Sequence, residues 1–187
     1  MRVYLIRHGE SENNVRKIYT GWSDPHLTEK GRKEALLAGE FLKGISFDKV
    51  WSSDLARAKE TAEVALPNYP REESSLLREI NVGEIAGKPF TVVPEEEKKQ
   101  IPQKGYKAFG GESMEEFYQR IRSFQEILEK QGAETVAVFA HAGFLRAMLD
   151  TVVGFYLPRN KVCCENCAVA VFEYNGEWSL HSWINFS

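Results

Sequence analysis

Short apolar runs that stop abruptly on polar residues alternate with longer stretches in which apolar positions recur every three or four residues. Val3-Tyr4-Leu5-Ile6 runs into Arg7-His8-Gly9, and Val136-Ala137-Val138-Phe139-Ala140 runs into His141-Ala142-Gly143. Runs of this length read as strands, and Phe47 to Ser52 and Cys167 to Tyr174 read the same way. Asn175-Gly176 turns the last of these back into a partner strand, Trp178 to Ile184. Helical periods lie between them. Ala35, Leu36, Ala38, Gly39 and Leu42 share a segment capped by Thr28 and stopped by Gly44. Leu55 to Ala65 reads as a second helix and Phe144 to Val153 as a buried one. Met114, Phe117, Ile121, Phe124 and Leu128 mark a helix over 113–130, with Ser113 as cap and Glu116 three positions on.

Strand followed by helix, repeated, predicts an α/β fold. We expect one three-layer α/β/α domain over 1–187, with a mostly parallel central sheet, helices on both faces and an antiparallel C-terminal edge hairpin. The stretch 88–111 breaks this rhythm. It carries Pro89, Pro94 and Pro102, the charged run Glu95-Glu96-Glu97-Lys98-Lys99, and Gly105, Gly110 and Gly111. It predicts a solvated excursion with one short helix, placed as a lid or specificity element.

Charge and cysteine usage narrow the function. Twenty-four Lys and Arg against 27 Asp and Glu give a formal net charge of -3, which offers no broad field for nucleic acid or an anionic membrane. No apolar run reaches the length of a membrane span or a signal peptide, so the expected location is the cytoplasm. Cys163, Cys164 and Cys167 cluster with no distant partner, which reads as free thiols rather than a disulfide framework. A zinc site would need Cys163 and the remote His181 beside Cys164 and Cys167, an unfavourable spacing. No metal site and no cofactor are expected.

Two of the four histidines follow apolar runs, at the strand-to-loop junctions where open α/β sheets place their chemistry. Lys49-Val50-Trp51-Ser52-Ser53 leads into Asp54-Leu55-Ala56-Arg57 and adds an arginine at a third such junction. The set Arg7, His8, Arg57, Glu79 and His141 supplies what phosphoryl transfer through a protein nucleophile requires. An imidazole attacks phosphorus, two guanidiniums hold nonbridging oxygens, a second histidine steadies the developing charge, and a carboxyl group protonates the leaving alcohol. Gly9 permits close backbone approach to phosphate, and Ser11 and Asn14 offer further donors. Taken singly these residues have ordinary readings. Arg57 has Asp54 and Glu60 as possible partners on its own segment, Glu84 competes with Glu79, and His26 and His181 read as surface residues.

Five motifs make the chain similar to the histidine phosphatase superfamily, which includes the cofactor-dependent phosphoglycerate mutases. They are Leu5-Ile6-Arg7-His8-Gly9-Glu10-Ser11-Glu12-Asn13-Asn14; Gly21-Trp22-Ser23-Asp24 with Leu27-Thr28-Glu29-Lys30-Gly31; Ser52-Ser53-Asp54-Leu55-Ala56-Arg57-Ala58-Lys59-Glu60-Thr61-Ala62; Leu77-Arg78-Glu79-Ile80-Asn81-Val82-Gly83-Glu84; and His141-Ala142-Gly143. The resemblance implies that His8 is the phosphoacceptor, Arg7 and Arg57 the phosphate clamps, His141 the second histidine and Glu79 the proton donor. It implies phosphate contacts from Asn14 and Ser11, and a rim at Thr20 and Gly21. Two positions depart from the pattern. His26 stands where many relatives have proline, and Ile85-Ala86-Gly87 replaces the Trp-Glu-Gly frequent in the small-phosphatase branch.

Trp22, Tyr106 and Phe109 are candidates to line an organic substrate, or only to cover apolar area. The expected function is metal-independent hydrolysis of small phosphate monoesters through a phosphohistidine, the branch whose members act on sugar phosphates, phosphoglycerates or α-ribazole phosphate. A mutase is the alternative, and is expected to need more lid than a 187-residue chain provides. A non-catalytic binder of phosphorylated protein is the third reading, and the acidic run Glu95-Glu96-Glu97 opposes it.

Overall fold

A computed structural model describes residues 1–186. The strands are β1 (Arg2–Arg7), β2 (Lys49–Ser53), β3 (Glu72–Ser74), β4 (Thr135–Ala140), β5 (Val169–Tyr174) and β6 (Trp178–Ile184). The helices are α1 (Glu12–Val15), α2 (Glu29–Leu42), α3 (Ala56–Ala65), α4 (Glu95–Lys98), α5 (Ile101–Lys104), α6 (Met114–Lys130) and α7 (Ala142–Val153). One sheet runs in the order β3-β2-β4-β1-β5-β6. Its first four strands are parallel, while β5 is antiparallel to β1 and β6 to β5. The fold is therefore the expected three-layer α/β/α arrangement with a mostly parallel sheet and a C-terminal edge hairpin.

Alternation along each inner strand divides the core into two layers. Val3, Leu5, Val136, Val138, Ala170 and Phe172 face the layer of α6 and α7, whereas Tyr4, Ile6, Ala137, Phe139, Val169 and Val171 face the opposite one. Helix α6 buries Phe117, Ile121, Phe124 and Leu128 in the first layer, and each such side chain contributes about 1.5–3 kcal/mol when removed from water. Thr28 caps α2 by accepting from the Gly31 N–H at 3.0 Å, and Ser113 with Glu116 forms the expected capping box on α6.

Three departures from expectation have physical causes. Glu72–Ser74 forms an edge strand on β2 although its polar sequence carries no strand pattern, because backbone pairing alone suffices at an edge. The stretch 88–111 holds two short helices rather than one, and it is anchored: Val93 is fully buried in the core and Pro89 bridges to Ile18. Gly9 approaches protein backbone instead of a phosphate. A Cβ there would lie 2.4 Å from the Gly31 carbonyl oxygen, and one on Gly31 would lie 2.1 Å from that of Glu10. The two glycines seat the turn after β1 against the start of α2.

Candidate active site

The carboxyl ends of β1, β4 and β2 converge on one cavity of about 510 Å³. Arg7 and His8 leave β1, His141 leaves β4 as the residue before α7, and Arg57 stands in the first turn of α3 after β2. Arg7, His8, Asn14, Arg57 and Glu79 all line the cavity.

His8 is buried, and its two nitrogens have different partners. Nδ1 faces the Gly9 carbonyl at 2.7 Å, and a carbonyl only accepts, so Nδ1 carries the hydrogen. Arg57 Nε–H points at Nε2 from 3.3 Å and therefore meets its lone pair. Burial, then the neighbouring Arg57 and Arg7, hold the imidazole well below its ordinary pKa of 6.5. His8 is thus a neutral imidazole with its unprotonated nitrogen turned to the cationic side of the site.

Arg57 is fixed by the loop that follows α1. Its Nη1 donates to the Ser23 carbonyl and its Nη2 to the Gly21 carbonyl, each at 2.9 Å. Asp54 and Glu60 do not compete for it: Asp54 pairs with Arg78, and Glu60 with Arg32 and His26. Burial lowers Arg57 to about 10, which leaves it charged at neutral pH. Arg7 Nη1 donates to the Cys164 carbonyl at 2.5 Å, while Arg7 Nε is buried without a partner.

The fully buried His141 sits with its ring centroid 5.2 Å from that of His8. Its Nε2 contacts Ser53 Oγ at 2.9 Å and its Nδ1 has no partner. Burial first, then Arg57, holds this imidazole too well below 6.5. Asn14 Oδ1 accepts from both the backbone N–H and the hydroxyl of Ser11 at 3.0 Å, so the amide nitrogen remains to donate. Ser11 itself is buried away from the cavity and orients Asn14. The Gly9 N–H is also occupied, donating to Thr61 Oγ1 at 3.0 Å.

Glu79 arrives on a loop held from three sides. Arg120 of α6 donates to the carbonyls of Leu76, Arg78 and Glu79 while forming a bidentate pair with Glu112. Trp22 Nε1 donates to the Glu79 carbonyl at 2.8 Å, and Arg78 stacks on the Trp22 ring at 4.9 Å. The carboxyl oxygens accept from the Ile80 N–H and from the Gly143 N–H in the first turn of α7, both at 2.9 Å. A Cβ on Gly143 would lie 2.0 Å from Glu79 Oε1, so this contact requires glycine. Glu84 is exposed and lines no part of the cavity.

Of the expected rim, Thr20, Gly21 and Tyr106 line the cavity and Trp22 and Phe109 do not. Trp22 is committed to Arg78 and the Glu79 loop, and Phe109 packs behind Tyr106 at 6.5 Å between centroids. Cys163 is exposed, Cys164 and Cys167 are buried, and all three are free. Among the described residues no three His, Cys, Asp or Glu side chains form a metal-binding group, and no helix is long and apolar enough to cross a membrane.

Several site residues were outside the sequence reading. Ser53, near the start of the motif Ser52 to Ala62, meets His141, a pairing that its sequence position does not signal. Arg146 and Arg159 also line the cavity. Arg146 is the one basic residue in the apolar helix α7, and that interruption was the available signal. The Cys164 carbonyl that holds Arg7 has no side-chain signature at all.

Comparison with known proteins agrees over the whole chain. It is 33% identical over 199 aligned residues to a 2,3-bisphosphoglycerate-dependent phosphoglycerate mutase of Bartonella henselae, covering 95% of this chain and 94% of the relative. It is 32% identical to a broad-specificity phosphatase of Saccharomyces cerevisiae, covering 93% of this chain and 80% of that one. The crystal structure of a phosphoglycerate mutase from Bacillus anthracis superposes with a TM-score of 0.85 at 27% identity, over 97% of this chain and 92% of that chain. Residues 3–185 match the histidine phosphatase superfamily, branch 1, and the chain belongs to that superfamily.

Proposed function

We propose that this enzyme moves the phosphoryl group of a small phosphate monoester onto His8 and from there to a second acceptor. One observation carries the reading: His8 turns an unprotonated Nε2 into a cavity that also holds Arg57 and an Arg7 whose buried Nε has no protein partner. Arg7, Arg57 and the Asn14 amide hold the nonbridging oxygens, and His141 steadies the charge that develops on them. The Nε2–phosphorus bond forms as the ester P–O bond breaks, and Glu79 gives its proton to the departing oxygen. In the second half the acceptor hydroxyl loses its proton to Glu79, its oxygen bonds phosphorus, and the N–P bond breaks.

Two acceptors are consistent with this geometry. The comparisons favour a phosphoglycerate hydroxyl, hence a mutase. The length argument against a mutase is weakened, because this chain aligns to 94% of a relative that bears that name. Hydrolysis remains the second reading, favoured by the likeness to the broad-specificity phosphatase. Acid-labile label trapped on His8 tests the shared step, and label that survives His8→Ala would sink it. Incubation with 3-phosphoglycerate then separates the acceptors: 2-phosphoglycerate forming faster than inorganic phosphate supports the mutase, and the reverse supports hydrolysis.

A further inference from the structure

The loop that leads into β5, residues 162–168, reaches three groups of the phosphoryl site from behind. The Cys164 carbonyl accepts from Arg7, and the Cys167 N–H donates to the His8 carbonyl at 3.3 Å. Cys167 has a φ of 58°, a left-handed backbone that residues other than glycine rarely adopt. That turn brings the preceding side chain to the same carbonyl, where Asn166 Nδ2 donates at 3.2 Å. The same nitrogen donates to Asn14 Oδ1 at 3.4 Å. Asn166 lines no part of the catalytic cavity; it lines a separate one of about 490 Å³ with Lys30, Glu34 and Phe186. Its influence on the reaction therefore passes through its neighbours.

The two contacts demand one kind of group. The His8 carbonyl only accepts, and Asn14 Oδ1, which also takes the Ser11 N–H and hydroxyl, only accepts, so the atom between them must offer two hydrogens. An amide nitrogen carries two, a hydroxyl one and a carboxylate none. What these bonds hold is the peptide between His8 and Gly9, which is planar, so its carbonyl and N–H turn together. Asn166 and Cys167 hold the carbonyl, while Thr61 of α3 accepts from the Gly9 N–H at 3.0 Å and donates to the Arg57 carbonyl at 2.6 Å. Rotation of that plane would move the Gly9 carbonyl, the acceptor that keeps the hydrogen on His8 Nδ1 and leaves Nε2 free. The second bond keeps Asn14 Oδ1 occupied and its amide nitrogen available to phosphate. We infer that Asn166 is a positioning residue of the phosphoryl-transfer step, bridging the nucleophile and the phosphate-holding amide through one nitrogen. This rests on the reading of His8 as the phosphoacceptor and of Asn14 as a phosphate contact.

Acid-quenched single turnovers with a labelled nitrophenyl ester read the step directly, because a good leaving group needs no proton from Glu79. Wild-type enzyme should carry the label on His8. Asn166→Ala, which removes the donor without adding charge, should slow labelling by about 10- to 100-fold, the scale of a misplacement of up to about 1 Å. Asn166→Asp keeps the shape but has no N–H, and should slow it at least as much; chemical denaturation confirms that both variants are folded. In an Asn14→Ala background, where one of the two contacts is already gone, the factor lost to Asn166→Ala should be at least about three-fold smaller. A merely structural contribution would lose the same factor in both backgrounds, and that result overturns the bridge. Labelling of Asn166→Ala or Asn166→Asp at the wild-type rate also overturns it and spares the His8 reading. A wild type that never carries label on His8 overturns the phosphoacceptor reading and this inference with it.

Discussion

The floor and the outer wall of the cavity are built in opposite ways. The floor stands on the ends of β1 and β4, neighbours in the middle of a parallel sheet, so sheet hydrogen bonds and two buried layers fix where Arg7 and His8 emerge, with the fully buried His141 packed beneath them. The wall, residues 88–111, depends on two four-residue helices, the buried Val93, and edge contacts of Tyr19 with Phe90 and Tyr106 at 4.8 and 6.1 Å. Phe90 and Val92 in that wall are 44% exposed. A floor held by the global fold keeps its geometry through local openings, whereas a wall with few buried contacts is the region that opens first. In the proposed reaction the chemistry belongs to the floor, and the choice of substrate to the wall and the far end of the cavity.

Breaking the floor should have the largest effect. Arg57→Ala removes a phosphate clamp and also strands the Gly21 and Ser23 carbonyls, so we expect kcat/KM to fall about 10³-fold and stability to fall by about 2–5 kcal/mol. Steady-state kinetics with chemical denaturation checks both; loss of activity without loss of stability would remove the structural half of this account. Glu79→Gln should lower turnover of alkyl phosphates by about 10²–10³-fold and that of a nitrophenyl ester by far less, because a good leaving group needs no proton. Glu84→Gln, altering an exposed side chain, should show no such contrast. Equal losses on both ester classes would take Glu79 out of the acid role.

What the sequence made legible follows the same division. Arg7, His8 and His141 stand out because a strand end is marked by an apolar run that stops, and the register of a buried strand leaves little freedom beyond it. Arg57 and Asn14 come with their motifs. Ser11, which the resemblance puts at the phosphate, holds Asn14, and Trp22, a candidate either for substrate lining or for apolar cover, holds the Glu79 loop, since spacing cannot tell a residue that touches a ligand from one that braces its neighbour. Arg146 and Arg159 were missed because their meeting depends on how the chain returns after α7. Backbone carbonyls such as Cys164 leave no trace in a sequence.

Proton binding sharpens the comparison at lower energy. His8 and His141 in the floor have pKa values well below 6.5, so below pH 6.5 the unfolded chain takes up protons that the native state refuses. Stability must then fall as pH falls below 6.5, and each of the two histidines contributes to the loss. His26 on the surface has the opposite sign. Its contact with Glu60 raises its pKa, so it favours the native state once protonated, below its raised value, and loses that contribution above it. The lowered carboxylates, Glu116 at about 2 among them, act in the same direction as His8 but at more acid pH, which leaves pH 5 to 6.5 to the histidines. Thermal unfolding between pH 7.5 and 5 should show the wild type losing stability and His141→Asn losing about half as much. Parallel curves would mean that His141 binds protons normally in the folded enzyme.

The smallest effect is expected in the wall, and it separates two aromatics that the sequence treats alike. Tyr106 is largely buried, faces the cavity and touches Tyr19, while Phe109 supports it from behind. Tyr106→Ala changes the surface a substrate meets, so KM values should shift about three- to ten-fold and unequally across a panel of phosphate monoesters, with kcat for the nitrophenyl ester nearly unchanged. Phe109→Ala deletes only a packing partner, so its changes should be uniform and within about two-fold. If Phe109→Ala reorders the panel as strongly as Tyr106→Ala, the wall transmits packing changes directly to the substrate and must be treated as one rigid unit with the floor. If neither variant reorders it, selectivity lies at the arginine end of the cavity, and the wall serves to exclude water from His8.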